Sequence, residues 1–282
     1  MEEKKYKSLT SRYPDQPIAE IFAHFRFIGA NGETWETPYE KLAGIVKDED
    51  WNFSRPEFKS KYSQKFPILV NYLNYTFLRA QELKLISYST DGDKACFNTG
   101  LQTKNEQDVF ALFYRNRRDT ADQEPDWILY TFVDSYSKKL TPFEKNIPDL
   151  PTYITDASDL VLDTKLEIEI NHDHIIDVNK DRLPSALQTN RQLALTALKG
   201  SIEYIKPKVI RNYKIAIPNW YEGKMQLLLP LNLTDDKIAD VALVVDKDKT
   251  RDIYRATTIL PMDLAYTHAR LITRPDREWL NP

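Results

Sequence analysis

The sequence predicts an α+β protein in which an N-terminal winged-helix-like unit is followed by an antiparallel β-meander flanked by helices. Three observations carry that expectation. The longest apolar alternation, Arg211 to Leu233, is interrupted by a polar turn at Asn219 to Gly223 and so reads as a β-hairpin. A second hairpin pattern follows it, and amphipathic helical stretches opened by Pro184 and Pro261 flank the pair. Upstream, two helical stretches and then a short hairpin give the element order of a winged helix.

Taken in order, residues 1–18 are charged and without periodicity, and read as a flexible leader. Residues 19–104 make the winged-helix-like unit and 105–282 the α+β domain. Ile21 to Ile28 alternates as a half-buried strand with His24 and Arg26 on one face, and an Asn31-Gly32 turn follows. Thr37-Pro38 opens a short helix to Val46. Phe66 to Leu85 forms a second, with Leu69, Leu73, Phe77 and Ala80 on its apolar face and Asn71, Asn74, Leu78 and Gln81 facing away. Strands at 85–89 and 95–99 meet through Asp91-Gly92-Asp93, the wing. Aromatic and branched runs at 109–114 and 127–133 are further strands, with Arg115, Arg117 and Arg118 exposed at the end of the first. Proline punctuates a linker at 138–153.

The second half starts acidic, with eight Asp or Glu against two lysines over 156–181. Within it Leu166, Ile168 and Ile170 alternate as a strand whose continuation carries His172 and His174. A long helix runs from Pro184 to about Ile205. In the hairpin after it, Tyr213, Ile215 and Ile217 share a face of one strand, and Met225 to Leu233 alternate along the other. Val241 to Val245 and Tyr254 to Leu260 extend the meander, and the last helix runs from Pro261 to about Ile272 with His268 turned inward.

Composition narrows the function classes. Of 282 residues, 41% are hydrophobic and 29% charged, as in a soluble globular protein, and no run is apolar enough to suggest a membrane partner. One cysteine, Cys96, precludes an intramolecular disulfide, and the cytoplasm is the expected location. A net charge of −3 excludes a surface coated in basic residues, so any nucleic-acid contact is local. Seven glycines, without GxGxxG or GxxxxGK[ST], argue against Rossmann and P-loop chemistry. Sixteen tyrosines, twelve phenylalanines and five tryptophans suit base stacking as well as core packing.

The most basic window comprises Lys199, Lys206, Lys208, Arg211 and Lys214, and it leads into the first hairpin. With Arg191, Tyr221, Lys224, Tyr266 and Arg270 it makes the expected phosphate- and base-binding set. Arg191 falls within the apolar stripe of its helix, so it needs either a carboxylate from the acidic segment or a ligand phosphate. His268 and Asp263 are the acid–base candidates for catalysis. No cofactor is required by any motif. A divalent metal would draw on His172, His174 and Asp177, since two histidines two apart on a strand can ligate one ion. The leading reading is an RNA- or nucleotide-binding protein, the alternatives being a metal-assisted or general-base phosphoesterase and a non-catalytic interaction module. Whether the chain is an enzyme stays open at this level.

HFRFIGANGETWETPYEKLA, DGDKACFNTGL, NYKIAIPNWYEGKMQLLLPLNL and LAYTHARLITRPDREWL together resemble a bacterial domain family of unknown function associated with OST-HTH (LOTUS) modules. The resemblance runs from about residue 20 to the end. It implies a role in RNA recognition, processing or surveillance, and a protein partner carrying a LOTUS-type module, without designating catalytic residues.

Overall fold

The fold is α+β and is described from a computed structural model for residues 4–25, 34–52, 65–117 and 124–272. Contacts divide the chain into two units, the described residues through Thr152 making one and those from Tyr153 the other.

The first unit is built on a five-stranded sheet, in the order β1 (Ala23–His24), β5 (Trp127–Asp134), β4 (Asp108–Arg115), β3 (Lys94–Gln102), β2 (Ser87–Tyr88). The β1–β5 pair is parallel and the others antiparallel. The expected domain boundary at 104/105 lies in the β3–β4 connection, and those strands are hydrogen-bonded neighbours. Helix α1 (Thr37–Ile45) and helix α2 (Pro67–Glu82) form where the sequence places them. Phe77 of α2 packs edge-on against Phe97 of β3, with ring centroids 5.6 Å apart, and Phe22, Phe113 and Trp127 extend that aromatic core.

Residues 4–12, expected as leader, lie along the polar side of α2. Leu9 is fully buried, and its N–H donates to Asn74 Oδ1 at 2.9 Å. Gln81 accepts from the Tyr6 N–H at 2.8 Å and donates to its carbonyl at 2.9 Å, and Arg12 donates to Asn71. Asn71, Asn74 and Gln81, read from the sequence as a solvent face, are thereby engaged by backbone and side chains of the N-terminal segment. A helical wheel cannot reveal this, because the covering strand arrives from far away in sequence. Arg26, the Asn31-Gly32 turn and Arg118 lie outside the described residues.

The second unit holds a sheet in the order β6 (Ile168–Ile170), β10 (Ile253–Pro261), β9 (Val241–Asp248), β8 (Lys224–Leu231), β7 (Ile217–Tyr221). The last four make the expected antiparallel meander, and β6 adds in parallel. Leu227, Leu229, Leu231, Val241, Leu243 and Val245 face a core closed by α3 (His172–Val178) and α5 (Arg191–Arg211). Helix α6 (Met262–Arg270) packs mainly against β7.

Three boundaries differ from expectation, each for a local reason. Asn171 Oδ1 accepts from the His174 N–H, at 3.0 Å, and converts the expected continuation of β6 into helix α3. Asn190 Oδ1 accepts from the Leu193 N–H, at 3.1 Å, and restarts the chain after α4 (Ser185–Gln188), so the Pro184 helix is two helices. Asn212 caps a 3-10 turn at Tyr213–Ile215, which moves the first hairpin strand to Ile217–Tyr221. The hairpin turn is then only Glu222-Gly223, both at positive φ (46° and 81°), the geometry of a tight two-residue loop.

Candidate functional site

The face of the first sheet turned away from α2 carries the most suggestive chemistry. Side chains alternate across strands, so Cys96 and Lys94 of β3 and Phe110, Leu112 and Tyr114 of β4 share this face. A 3-10 segment, Lys138–Phe143, closes on it because Leu140 and Phe143 bury themselves against Cys96, Phe110, Leu112 and Val133. Ser137 caps that segment by accepting from the Lys139 N–H, at 3.3 Å, which fixes where Lys138 and Lys139 leave the backbone. The expected linker at 138–153 is thus partly a structural cover.

The cover stops short of the strand ends and leaves a cleft of about 320 Å³ lined by Lys94, Tyr114, Tyr130, Lys138, Lys139 and Pro142. The Tyr114 and Tyr130 rings lie 4.5 Å apart between centroids with a tilt of 48°. A register shift between Leu112 and Phe113, where β4 pairs β5, accompanies their approach. Lys139 Nζ stands 4.7 Å from the Tyr130 ring centroid and Lys94 Nζ 5.9 Å from that of Tyr114. No carboxylate lines the cleft, and none of the three lysines pairs with one among the described residues. Burial first, and the neighbouring Tyr130 second, raise the Tyr114 phenol, which keeps it neutral. Burial likewise pushes the Cys96 thiol up and makes it inert as a nucleophile. Two aromatic rings in a cleft lined by three lysines can stack a planar base and hold its phosphates.

The residues expected from the sequence are distributed otherwise. Arg191 opens α5 and Arg211 closes it, so they stand about 30 Å apart along the helix axis. Arg191 is half-exposed, outside the apolar stripe, and pairs with Asp173 at 2.5 Å and Asp177 at 3.1 Å. Its carboxylates come from the acidic segment, as the sequence suggests. Lys206 donates to the Leu166 carbonyl at 3.3 Å, Lys208 to Asn232 Oδ1 at 3.2 Å and Arg211 to the Pro207 carbonyl at 2.9 Å. Lys214 is exposed, and Tyr221 and Lys224 flank the hairpin turn as a cross-strand pair. Tyr266 is 3% exposed, so its ring belongs to the interior, and Arg270 is half-buried.

The histidines also part company. A helix turns about 100° per residue, so His172 and His174 on α3 point about 200° apart rather than to one side. Asp177 is held by Arg191. Among the described residues no three His, Cys, Asp or Glu side chains are grouped to hold a metal ion. His268 is buried and stacks on Tyr221 at 5.4 Å and 22°, and its pKa is lowered to about 4 by burial. Asp263 is raised by burial, with Oδ1 lacking a hydrogen-bond partner among the described residues. Five helical positions separate the two, which again places them on different sides of α6.

The Tyr114–Tyr130 cleft escaped sequence reasoning because its lysines come from positions 94, 138 and 139, each unremarkable in its own window. The one available signal was a tyrosine in each of two successive strands, Tyr114 near the end of β4 and Tyr130 in the middle of β5. No described helix is long and apolar enough to cross a membrane. Residues 42–279 match the family described as Domain of unknown function (DUF3825). No curated protein and no solved structure matches the chain.

Proposed function

Because the chain belongs to the DUF3825 family, a domain of unknown function, we propose from its own geometry that it binds RNA or nucleotides as unpaired strands through the Tyr114–Tyr130 cleft. One observation carries the reading: two contacting tyrosine rings line a cleft together with three lysines, and no carboxylate is among the lining residues. Stacking on a tyrosine face tolerates any base, and the ammonium groups supply the phosphate contacts. Stacking on a tyrosine face requires an unpaired base, which favours single strands over duplex. The resemblance to LOTUS-associated domains supports an RNA role, and a partner chain carrying a LOTUS-type module fits it.

The test is fluorescence anisotropy with a short single-stranded RNA across a salt series. Lys94→Glu, Lys138→Glu and Lys139→Glu together should flatten the log–log salt slope by about 2, the share of three phosphate contacts on a single strand. Affinity that ignores ionic strength, or that survives the triple variant, would remove the proposal. Binding of a folded protein partner in place of RNA would turn the cleft into an interaction surface.

A further inference from the structure

The second unit contains a separate cleft, of about 610 Å³, where β6 ends beside the first residues of its parallel neighbour β10. β10 shifts register beside it, between Ala256 and Thr258. The charged and titratable groups that line the cleft come from four elements: Glu169 on β6, His172 and Asp173 on α3, Lys199 on α5, and Arg255 on β10. Their pairing is what makes the site informative.

Both carboxylates are engaged by arginines. Glu169 accepts from Arg251 at 2.8 Å, with Arg255 at 3.8 Å, and Asp173 is held by Arg191 at 2.5 Å. Arg255 is committed further, to Asp248 at 2.8 Å. That leaves Lys199 facing the cleft without a carboxylate partner among the described residues, opposite the partly buried imidazole of His172. The two lie close enough that Lys199 adds to burial in disfavouring the charged imidazole, while Asp173 pulls weakly the other way. A cation set against an ionisable ring, with neighbouring acids already neutralised, is a geometry that a bound oxyanion would relieve.

We infer that this cleft is a binding site for a phosphate-type oxyanion, held between Lys199 and His172. The proposal is independent of the RNA cleft, since it uses other residues in the other unit. A phosphate monoester, with two negative charges near neutral pH, compensates Lys199 and a protonated His172 together, which a single carboxylate cannot do. Its source could be a small phosphorylated molecule or the phosphorylated end of an oligonucleotide.

The experiment is an NMR titration of the full chain, carrying labelled histidine, with inorganic phosphate at constant ionic strength. The His172 ring signals should shift and saturate, while those of exposed His174 stay in place. Lys199→Gln, a change at an exposed position, should weaken the response about tenfold, the loss expected for one charge-assisted hydrogen bond. Glycerol phosphate and a 5′-phosphorylated trinucleotide, with its unphosphorylated counterpart as control, then separate the two sources. Equal shifts at His172 and His174, or an undiminished response in Lys199→Gln, would overturn the site. Acetate saturating as well as phosphate would overturn the phosphate class.

Discussion

Basic side chains meet different fates in the two units. In the second, Arg191 and most cations of the basic window are engaged by their own chain. Arg191 closes on Asp173 and Asp177, Lys206 on a carbonyl, Lys208 on an asparagine and Arg211 on the turn preceding it. In the first unit Lys94 and the distant pair Lys138 and Lys139 meet beside two tyrosines with no acid among the lining residues. A run of basic residues therefore measures the charge of a window, whereas a binding surface depends on which charges remain uncompensated after folding.

The contrast can be broken or sharpened by experiment. The largest effect is expected from Leu9→Ala in the N-terminal segment, which should cost about 2–5 kcal/mol in a denaturant melt, because the side chain is fully buried against α2. A negligible cost would return residues 4–12 to the status of a leader. Next comes acid sensitivity in the second unit. The His268 pKa is lowered to about 4 in the fold, so the unfolded chain binds its proton first. The stability involved is fully present above the ordinary histidine pKa of about 6.5, and it declines as pH falls toward 4, by roughly 3 kcal/mol in all. Asp263, raised by burial, works in the opposite sense. The clean measurement therefore compares native chain with His268→Gln, which should lose most of the slope in that window.

Stacking in the first unit ranks third. Removing one ring, Tyr114→Ala or Tyr130→Ala, should weaken single-stranded RNA by about 1–3 kcal/mol, read as a change in Kd with the melting transition as a control for folding. The smallest effect is the sharpest comparison. Lys208→Glu with Arg211→Glu should leave RNA affinity nearly unchanged, while Lys138→Glu with Lys139→Glu reduces it and its salt dependence. The reverse ranking would restore the basic window as the site.

Much of the fold was legible because its signals are local. The β7–β8 hairpin shows why legibility stops at boundaries. Its apolar alternation located the strands, yet Asn212 and the Glu222-Gly223 turn set their ends, and each acts through one or two hydrogen bonds or dihedrals that periodicity does not weigh. Asn171 had the same effect on the histidines: one cap turned a strand into a helix and sent His172 and His174 apart. Of the two partners the sequence allowed for Arg191, the acidic segment supplies the one observed, because excess charge in one segment must find compensation somewhere near.

By itself the sequence determined the α+β class and the antiparallel meander, since hydrophobic period acts over a few residues. Tertiary structure alone decided which faces stay open. The polar side of α2 is covered by residues some 65 positions earlier in the sequence, and the Tyr114–Tyr130 cleft is assembled from strands and a 3-10 segment that no short window joins. Coverage and charge compensation are sums over neighbours in space, so they are fixed only when the chain has closed on itself.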